Sequence, residues 1–129
     1  MTVDPTKKRT LDQERAEYAL KEIKKIIGGE YVNYVSYVSS LPATIVMNGL
    51  GQALVTLLAK GDSSHKMLFD HVAGWLCKQI PDLKGRPDGI VEKMMEQNQA
   101  VYIHAQAEAM AYLSWLKQFA RAYLKEEGA

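Results

Sequence analysis

Apolar residues recur every three or four positions along almost the whole chain of 129 residues. This period places them on one face of an α-helix, whereas a half-buried strand would alternate apolar and polar residues. Four prolines and few alternating β-branched runs argue further against a sheet. The pattern predicts an all-α protein, a compact bundle of about five to six helices joined by short loops.

The first helix has clear start and stop signals. Thr10 followed by Gln13 predicts a capping box, and Gly28-Gly29 ends the helix after about Ile27. Its inner face is predicted from four apolar residues at helical spacing: Ala16, Leu20, Ile23 and Ile27.

Residues 30–60 predict two helices. Residues 30–40 are rich in tyrosine and valine, which also suit a strand, but they fit one helical face and have no partner strand. Pro42 suits the first turn of a new helix that runs to Lys60 and ends at Gly61. The pattern leaves open whether the two helices are continuous or separate at Pro42.

Three further helices are expected in the second half of the chain. They cover about Ser64 to Ile80, a short stretch capped by Asp88 that ends near Glu96, and about Gln99 to Lys125. The apolar seam of the last helix is predicted from its spacing: Ala109, Tyr112, Leu116, Phe119 and Tyr123.

Length and composition predict one domain over residues 1–129, with residues 1–9 as a flexible basic tail. The single cysteine, Cys77, excludes an internal disulfide and fits a reducing compartment. The first ten residues do not have a signal-peptide pattern, and the longest apolar stretch is interrupted by Asn48 and Gln52. We therefore expect a cytoplasmic protein without a membrane span.

The apolar helix after Pro42 contains an unusual Asn48-Gly49-Leu50-Gly51-Gln52 segment. Each interior glycine costs a helix roughly 1 kcal/mol relative to alanine. The favoured interpretation is close helix packing, with the side-chain amides of Asn48 and Gln52 bonded across the bundle. The alternative is a shallow groove in which a partner approaches the backbone.

Signals for catalysis or metal binding are weak. His104 and Glu108 share a helix face, but a metal site needs more ligands, and the chain has no HExxH or CxxC motif. His71 and Cys77 are six residues apart on a helix and so lie on different faces, which indicates a core role for Cys77. We expect no catalytic residue, cofactor or metal; a small metal-dependent hydrolase is the least favoured class.

Basic residues give the best binding candidates. Lys117, Arg121 and Lys125 are spaced by four on the last helix, opposite its seam, and no acidic residue follows Lys117 until Glu126. Such a stripe is suited to nucleic-acid phosphates. The net charge of +1 is small for an independent RNA-binding protein, so we expect weak contacts that assembly multiplies.

Three stretches together resemble one family: RTLDQERAEYAL at 9–20, LPATIVMNGLGQAL at 41–54 and EAMAYLSWLKQFARA at 108–122. They are similar to the small subunit of the type III-B CRISPR RNA-silencing complex, the Cmr complex. The resemblance implies a helical bundle without a catalytic site. It also implies a filament that lines the channel where target RNA pairs with guide RNA. The implied partners are backbone subunits, the large polymerase-like subunit and neighbouring copies.

By this resemblance, Arg15 of the first stretch joins Lys117 and Arg121 as a candidate phosphate contact, beside Lys125. Asn48, Gly49, Gly51 and Gln52 become candidates for packing inside the bundle or against a neighbouring subunit. The sequence therefore predicts a non-catalytic, RNA-binding subunit in antiviral defence. The alternative is a helical protein–protein adaptor without RNA contact.

Overall fold

The structure, a computed structural model, describes residues 8–124. These residues form six α-helices and two single-turn 3-10 helices, without a strand, so the predicted all-α class is confirmed. The α-helices are α1 (Leu11–Ile26), α2 (Tyr34–Asn48), α3 (Leu50–Lys60), α4 (Ser63–Gln79), α5 (Ile90–Glu96) and α6 (Gln99–Tyr123). None of the helices in 8–124 has the length and apolar character needed to cross a membrane.

Helix α1 begins as its sequence predicts. The Thr10 hydroxyl accepts from the Gln13 amide at 3.1 Å, and the Gln13 side chain accepts from the Thr10 amide at 2.8 Å. The inner face is rotated from the predicted one, because Ala19, Ile23 and Ile26 are buried whereas Ile27 is half exposed. Ile27 is the C-cap of α1 and has an extended backbone, so it leaves the helix before the turn at Gly28.

The start of the chain is partly outside the described residues. Of the predicted basic tail, residues 1–7 lie outside them. Arg9 is described and is attached to α1, because its guanidinium contacts both carboxylate oxygens of Glu17 at 2.6 and 3.2 Å.

Helix α2 corrects the predicted junction at Pro42. The helix begins at Tyr34 and continues through Pro42, which lies in its interior. A proline there removes one helical hydrogen bond, normally at a cost of about 3 kcal/mol. The burial of Val38, Leu41 and Ile45 on the flanking turns offsets this cost.

The interruption occurs instead at Gly49, which separates α2 from α3. Its φ of 87° lies in the left-handed region that favours glycine. The predicted uninterrupted helix to Lys60 is therefore wrong, although its end at Gly61, also at positive φ, is correct. Gly49 thus interrupts a segment, Pro42 to Lys60, for which one continuous helix was expected.

The second half of the chain is close to the prediction. Asp62 caps α4 and Asn98 caps α6, each by accepting an amide hydrogen bond. The predicted cap at Asp88 is wrong, because Asp88 lies inside the 3-10 turn Pro87–Gly89 and Gly89 precedes α5.

The core lies where α6 packs against α1, α2 and α4. Trp75 of α4 stacks on Tyr112 of α6, with ring centroids 5.5 Å apart, and Tyr18 of α1 packs against both rings. Ala109, Tyr112 and Leu116 are buried as predicted, while Tyr123 at the end of the seam is half exposed. Because α6 buries this seam, its opposite side remains available at the surface.

Candidate nucleic-acid interface

Lys117 and Arg121 lie one turn apart on the outer side of α6. Lys117 is partly exposed and Arg121 is exposed. Neither forms an ion pair in the described chain, whereas several other basic residues do. Such pairs join Arg9 to Glu17, Lys25 to Glu22, Lys66 to Asp70 and Arg86 to Asp88. The α6 pair therefore keeps its positive charge uncompensated within residues 8–124.

Glu108 is the single acidic residue of the α6 sequence from 99 to 124, and it is buried. Its carboxylate accepts from Arg15 Nε at 2.6 Å, from Arg15 Nη2 at 2.9 Å and from Trp75 Nε1 at 2.9 Å. Burial acts to raise the pKa of Glu108, but the hydrogen bonds from Arg15 and Trp75 outweigh it and lower the pKa. Glu108 consequently holds helices together and does not neutralise Lys117 or Arg121.

Arg15 has a different position from the one expected of a phosphate contact. Its side chain is 18% exposed, and its guanidinium binds Glu108 in two places and Asp12 at 3.1 Å. The hydrogen bond with Glu108 is the main reason that the pKa of Arg15 is raised. Since Glu108 precedes Lys117 by nine residues, Arg15 lies roughly 13 Å along α6 from that position. The structure does not bring the predicted residues into one cluster.

Asp12 extends this network to a second tryptophan. Its carboxylate accepts from Trp115 Nε1 at 3.0 Å as well as from Arg15. Hydrogen bonding to Trp115 is the largest cause of the lowered pKa of Asp12. The predicted phosphate contact Lys125 lies outside the described residues.

A groove runs between α2 and α6 beside Arg121. It has a volume of about 340 Å³, and its walls are Val35, Ser36, Ser39 and Ser40 of α2 and Arg121 of α6. The Ser40 hydroxyl donates to the Tyr37 carbonyl at 3.2 Å. Arg121 is the single charged residue among these walls.

The glycine segment packs tightly inside the bundle at the α2–α3 break. The Leu50 amide donates to Gln106 Oε1 at 3.0 Å, and the Gly51 amide donates to Tyr102 Oη at 2.9 Å. A Cβ at Gly51 would lie 3.1 Å from Met95 Cε and 3.2 Å from Tyr102 Oη, so a side chain at this position would be tightly packed and its neighbours would have to shift. The interpretation of close packing therefore agrees with the structure at Gly51.

The predicted role of the neighbouring amides is not seen. Asn48 and Gln52 are exposed, and the bonds across the bundle are made by backbone amides instead of their side chains. Packing of Asn48, Gly49, Gly51 and Gln52 against another subunit stays a prediction.

An exposed apolar face surrounds this break. Met47 is 83% exposed and Val46 72%, and Met95 and Val55 are also exposed. A groove between α3 and α5 is lined by Gly51, Gln52, Val55, Thr56, Val91 and Met95. The sequence from 31 to 59 contains no charged residue and no histidine, so the exposed apolar residues of this segment have no charged neighbour within it.

His104 and Glu108 do not form a metal site in the described residues. Both Glu108 oxygens are bonded to Arg15 or Trp75, while His104 is exposed. Across residues 8–124, no three His, Cys, Asp or Glu side chains come together in a metal-binding arrangement. Cys77 is buried, and burial raises the pKa of its thiol.

His71 is a buried histidine that the sequence did not single out for packing. Its Nδ1 is 2.5 Å from Tyr34 Oη, and its Nε2 is 3.9 Å from the Glu22 carboxylate. Burial lowers the pKa of His71 to about 4, against an opposing effect of Glu22. The ring is therefore neutral in the folded protein near pH 7.

Sequence reasoning missed the partners that position these groups. Glu108 follows Ala105 by three positions and precedes Tyr112 by four, so it lies on the apolar seam of α6. A carboxylate at a core position needs a partner that neutralises it, so this signal could have marked Glu108 as one member of a buried ion pair, but it does not identify Arg15 as the other. No comparable signal marks Tyr102 and Gln106 as caps for α3.

Residues 11–123 match the family model described as CRISPR-associated protein (Cas_Cmr5). A curated protein, CRISPR system Cmr subunit Cmr5 from Thermus thermophilus, is 29% identical over 119 residues, which cover 92% of this chain and 99% of that protein.

A solved structure has the same fold. It is the crystal structure of a CRISPR-associated Cmr5 family protein, also from Thermus thermophilus, with a TM-score of 0.77 and 26% identity. The match covers 92% of this chain and 100% of the other. These findings confirm the resemblance to the small subunit of the Cmr complex.

Proposed function

The chain belongs to the Cmr5 family of CRISPR-associated proteins, and we propose that Lys117 and Arg121 let it contact RNA phosphates inside a type III-B effector complex. Membership in a Cmr subunit family makes the other Cmr subunits its partners. In this proposal the chain has no catalytic role and acts in antiviral defence in the cytoplasm. It helps to form the filament beside the guide–target RNA duplex.

The main support for the proposal is the uncompensated positive charge on α6. Lys117 and Arg121 share one stripe, and the one carboxylate of the described helix is buried and bound to Arg15 and Trp75. Cations without an acidic partner attract a polyanion and release its counterions, whereas paired cations contribute little. Backbone phosphates carry no sequence information, so base pairing with the guide would read the target.

The four predicted phosphate contacts differ in their support. Lys117 and Arg121 are the best supported, because each is accessible and unpaired in the described chain. Arg15 is the least supported, since its guanidinium already binds Glu108 and Asp12. Lys125 continues the same spacing and is included in the proposal on its sequence position alone.

The test is RNA binding by Lys117→Ala and Arg121→Ala variants, singly and together, measured at several salt concentrations in the reconstituted complex. We expect weaker binding and a slope of log affinity against log salt that falls by about 0.7–0.9 for each lost phosphate contact. Lys66→Ala removes a cation that is paired with Asp70 and serves as the matched control. An unchanged slope in the double variant would remove both residues from the RNA contacts.

A second candidate function is a protein–protein adaptor that does not touch RNA. The exposed, charge-free apolar face around Gly49 favours it, because charged residues are depleted at the centres of protein interfaces. In this case another Cmr subunit covers Met47, Met95 and the groove beside Gly51. Packing against a neighbouring copy of the chain is the alternative occupant.

Affinity purification of tagged protein from cells separates the two candidates. Recovery of guide RNA with the other Cmr chains, sensitive to Arg121→Ala but not to Met47→Ser, supports RNA contact. Loss of the partner chains in Met47→Ser, with normal RNA binding by Arg121→Ala, supports the adaptor. Sizing of the pure chain distinguishes self-association from contact with a different subunit.

A further inference from the structure

We propose that the groove between α2 and α6 holds one phosphodiester group of the RNA, with Arg121 as its cation and the Ser39 hydroxyl as a second donor. This inference rests on the proposed function and extends it to α2, a helix that the basic stripe does not include. The groove is lined by Val35, Ser36, Ser39, Ser40 and Arg121.

Arg121 and Ser39 provide complementary donors from two helices. A guanidinium has five N–H donors and no acceptor, and its planar fork matches two phosphate oxygens. The Ser39 hydroxyl is half-buried and makes no hydrogen bond within the described residues, whereas the neighbouring Ser40 hydroxyl is bonded to the Tyr37 carbonyl. Ser39 is thus the hydroxyl of this wall that can turn toward an oxygen in the groove.

The charge around the groove favours an anion. No acidic residue occurs from 31 to 59, so α2 and α3 supply no carboxylate that could compete for Arg121. On α6, Glu108 lies thirteen residues before Arg121 and is buried against Arg15. Lys117 adds a second positive charge one turn from Arg121.

The groove suits a backbone phosphate better than a base. Among the described residues that line it are hydroxyls and one small apolar side chain, Val35, but no aromatic ring on which a base could stack. A carboxylate from an acidic protein segment shares the negative charge but not the tetrahedral set of oxygens. Since a guanidinium and a hydroxyl from different helices can each bind a different oxygen, we favour the phosphate.

The experiment compares Ser39→Asp, Ser39→Ala, Arg121→Ala and Gln99→Glu, each in the full-length chain assembled into the reconstituted complex. Gln99→Glu adds the same charge at the first position of α6, about 33 Å from Arg121 and far beyond the Debye length. The probe is a fluorescein-labelled single-stranded RNA followed by fluorescence anisotropy, with thermal melting as a check on folding.

We expect Ser39→Asp and Arg121→Ala each to weaken RNA binding by about tenfold, the effect of one charge-assisted hydrogen bond, and Ser39→Ala to weaken it less. Gln99→Glu should match the wild type. Unchanged binding in Ser39→Asp with loss in Arg121→Ala would overturn the inference and leave the proposed function intact. No change in either variant would overturn the inference and remove Arg121 from the proposed RNA contacts, while the proposed function would then depend on Lys117.

Two competitors identify the source of the anion. Unlabelled RNA and inorganic phosphate are added at equal phosphorus concentration. Displacement of the probe by the RNA but not by inorganic phosphate would show that the groove takes a phosphodiester within a chain. Equal displacement by inorganic phosphate would reduce the site to a general anion site. The last probe is a labelled polyglutamate. If it binds the wild type but not Ser39→Asp, while RNA binding is the same in both proteins, the groove would instead be assigned to an acidic protein segment.

Discussion

Two regions of this bundle differ in their charged residues. Where α1 meets α4 and α6, Arg15, Glu108 and Asp12 form a closed network whose hydrogen bonds include two tryptophans. Around the α2–α3 break, 29 consecutive residues, 31–59, carry no charge, and large apolar side chains are exposed.

This difference separates residues that hold the fold from residues that are free to meet a partner. A buried charge needs its partner, so removing one member of the network disturbs the fold. Replacing an exposed apolar side chain costs the protein little stability, so the presence of such side chains is better explained by an interface than by folding. Substitutions in the two regions test this difference between residues that hold the fold and residues that meet a partner.

The largest effect is expected from Glu108→Ala. It leaves the Arg15 guanidinium and Trp75 Nε1 without their acceptor in a mostly buried site, and we expect a loss of about 3–5 kcal/mol in the free energy of unfolding. Urea denaturation followed by circular dichroism measures this loss. Glu14→Ala, at an exposed acid of α1, is the control and should change the stability by less than about 0.5 kcal/mol. Similar values for the two variants would show that the network does not hold the fold.

The next effect is a dependence of stability on pH that originates at His71. Because burial lowers its folded pKa to about 4 from an unfolded value of 6.5, the unfolded chain binds a proton first as pH falls. Stability should therefore decrease between pH 6.5 and 4, by roughly 3 kcal/mol at most, and not further below that range because of this group.

Two variants isolate this dependence. His71→Gln should flatten the curve of unfolding free energy against pH between 6.5 and 4, while His104→Gln, at an exposed histidine, should keep it. The lowered pKa of Glu108 acts in a lower range, since its stabilisation is present above the ordinary carboxylate pKa and is lost as pH falls through the folded value. A slope that persists in His71→Gln would assign the dependence to another group.

A smaller loss is expected from Gly51→Leu. The new side chain would meet Met95 and Tyr102 and disturb the hydrogen bond from the Gly51 amide, so we expect destabilisation by about 1–3 kcal/mol. Thermal melting measures it, with Gln52→Leu at the exposed neighbouring position as the control. A fully stable Gly51→Leu protein would mean that the glycine is not required by packing inside the bundle.

The smallest effect on stability is expected from Met47→Ser. Met47 is 83% exposed, so the free energy of unfolding should change by less than about 0.5 kcal/mol. Assembly with other Cmr subunits, followed by sizing, should nevertheless be weakened if this face is an interface. Normal assembly of the Met47→Ser protein would mean that this apolar face is not an interface with the other subunits.

Local signals explain the parts of the fold that could be predicted. The capping box of α1 needs only Thr10 and Gln13, and the end of α3 needs only Gly61, so both could be read from adjacent residues. The apolar spacing of α6 likewise identified Ala109, Tyr112 and Leu116 as core residues.

The parts that could not be predicted depend on residues far apart in sequence. Arg15 was assigned to phosphate through the family resemblance of the first stretch, but its position is set by Glu108, 93 residues later. The break at Gly49 is stabilised by hydrogen bonds that span more than 50 residues. Periodicity indicates which side of a helix is apolar, but it does not identify the residue on another helix that binds it.

The caps of α3 also have a consequence for the order in which the chain acquires its structure during synthesis. The first amides of α3 are satisfied by Tyr102 and Gln106, which leave the ribosome more than 50 residues after Leu50. Until then, the start of α3 has only water as a partner. We expect nascent chains that stop before residue 102 to keep a frayed α3, and the last helix to complete the first half of the protein as it docks.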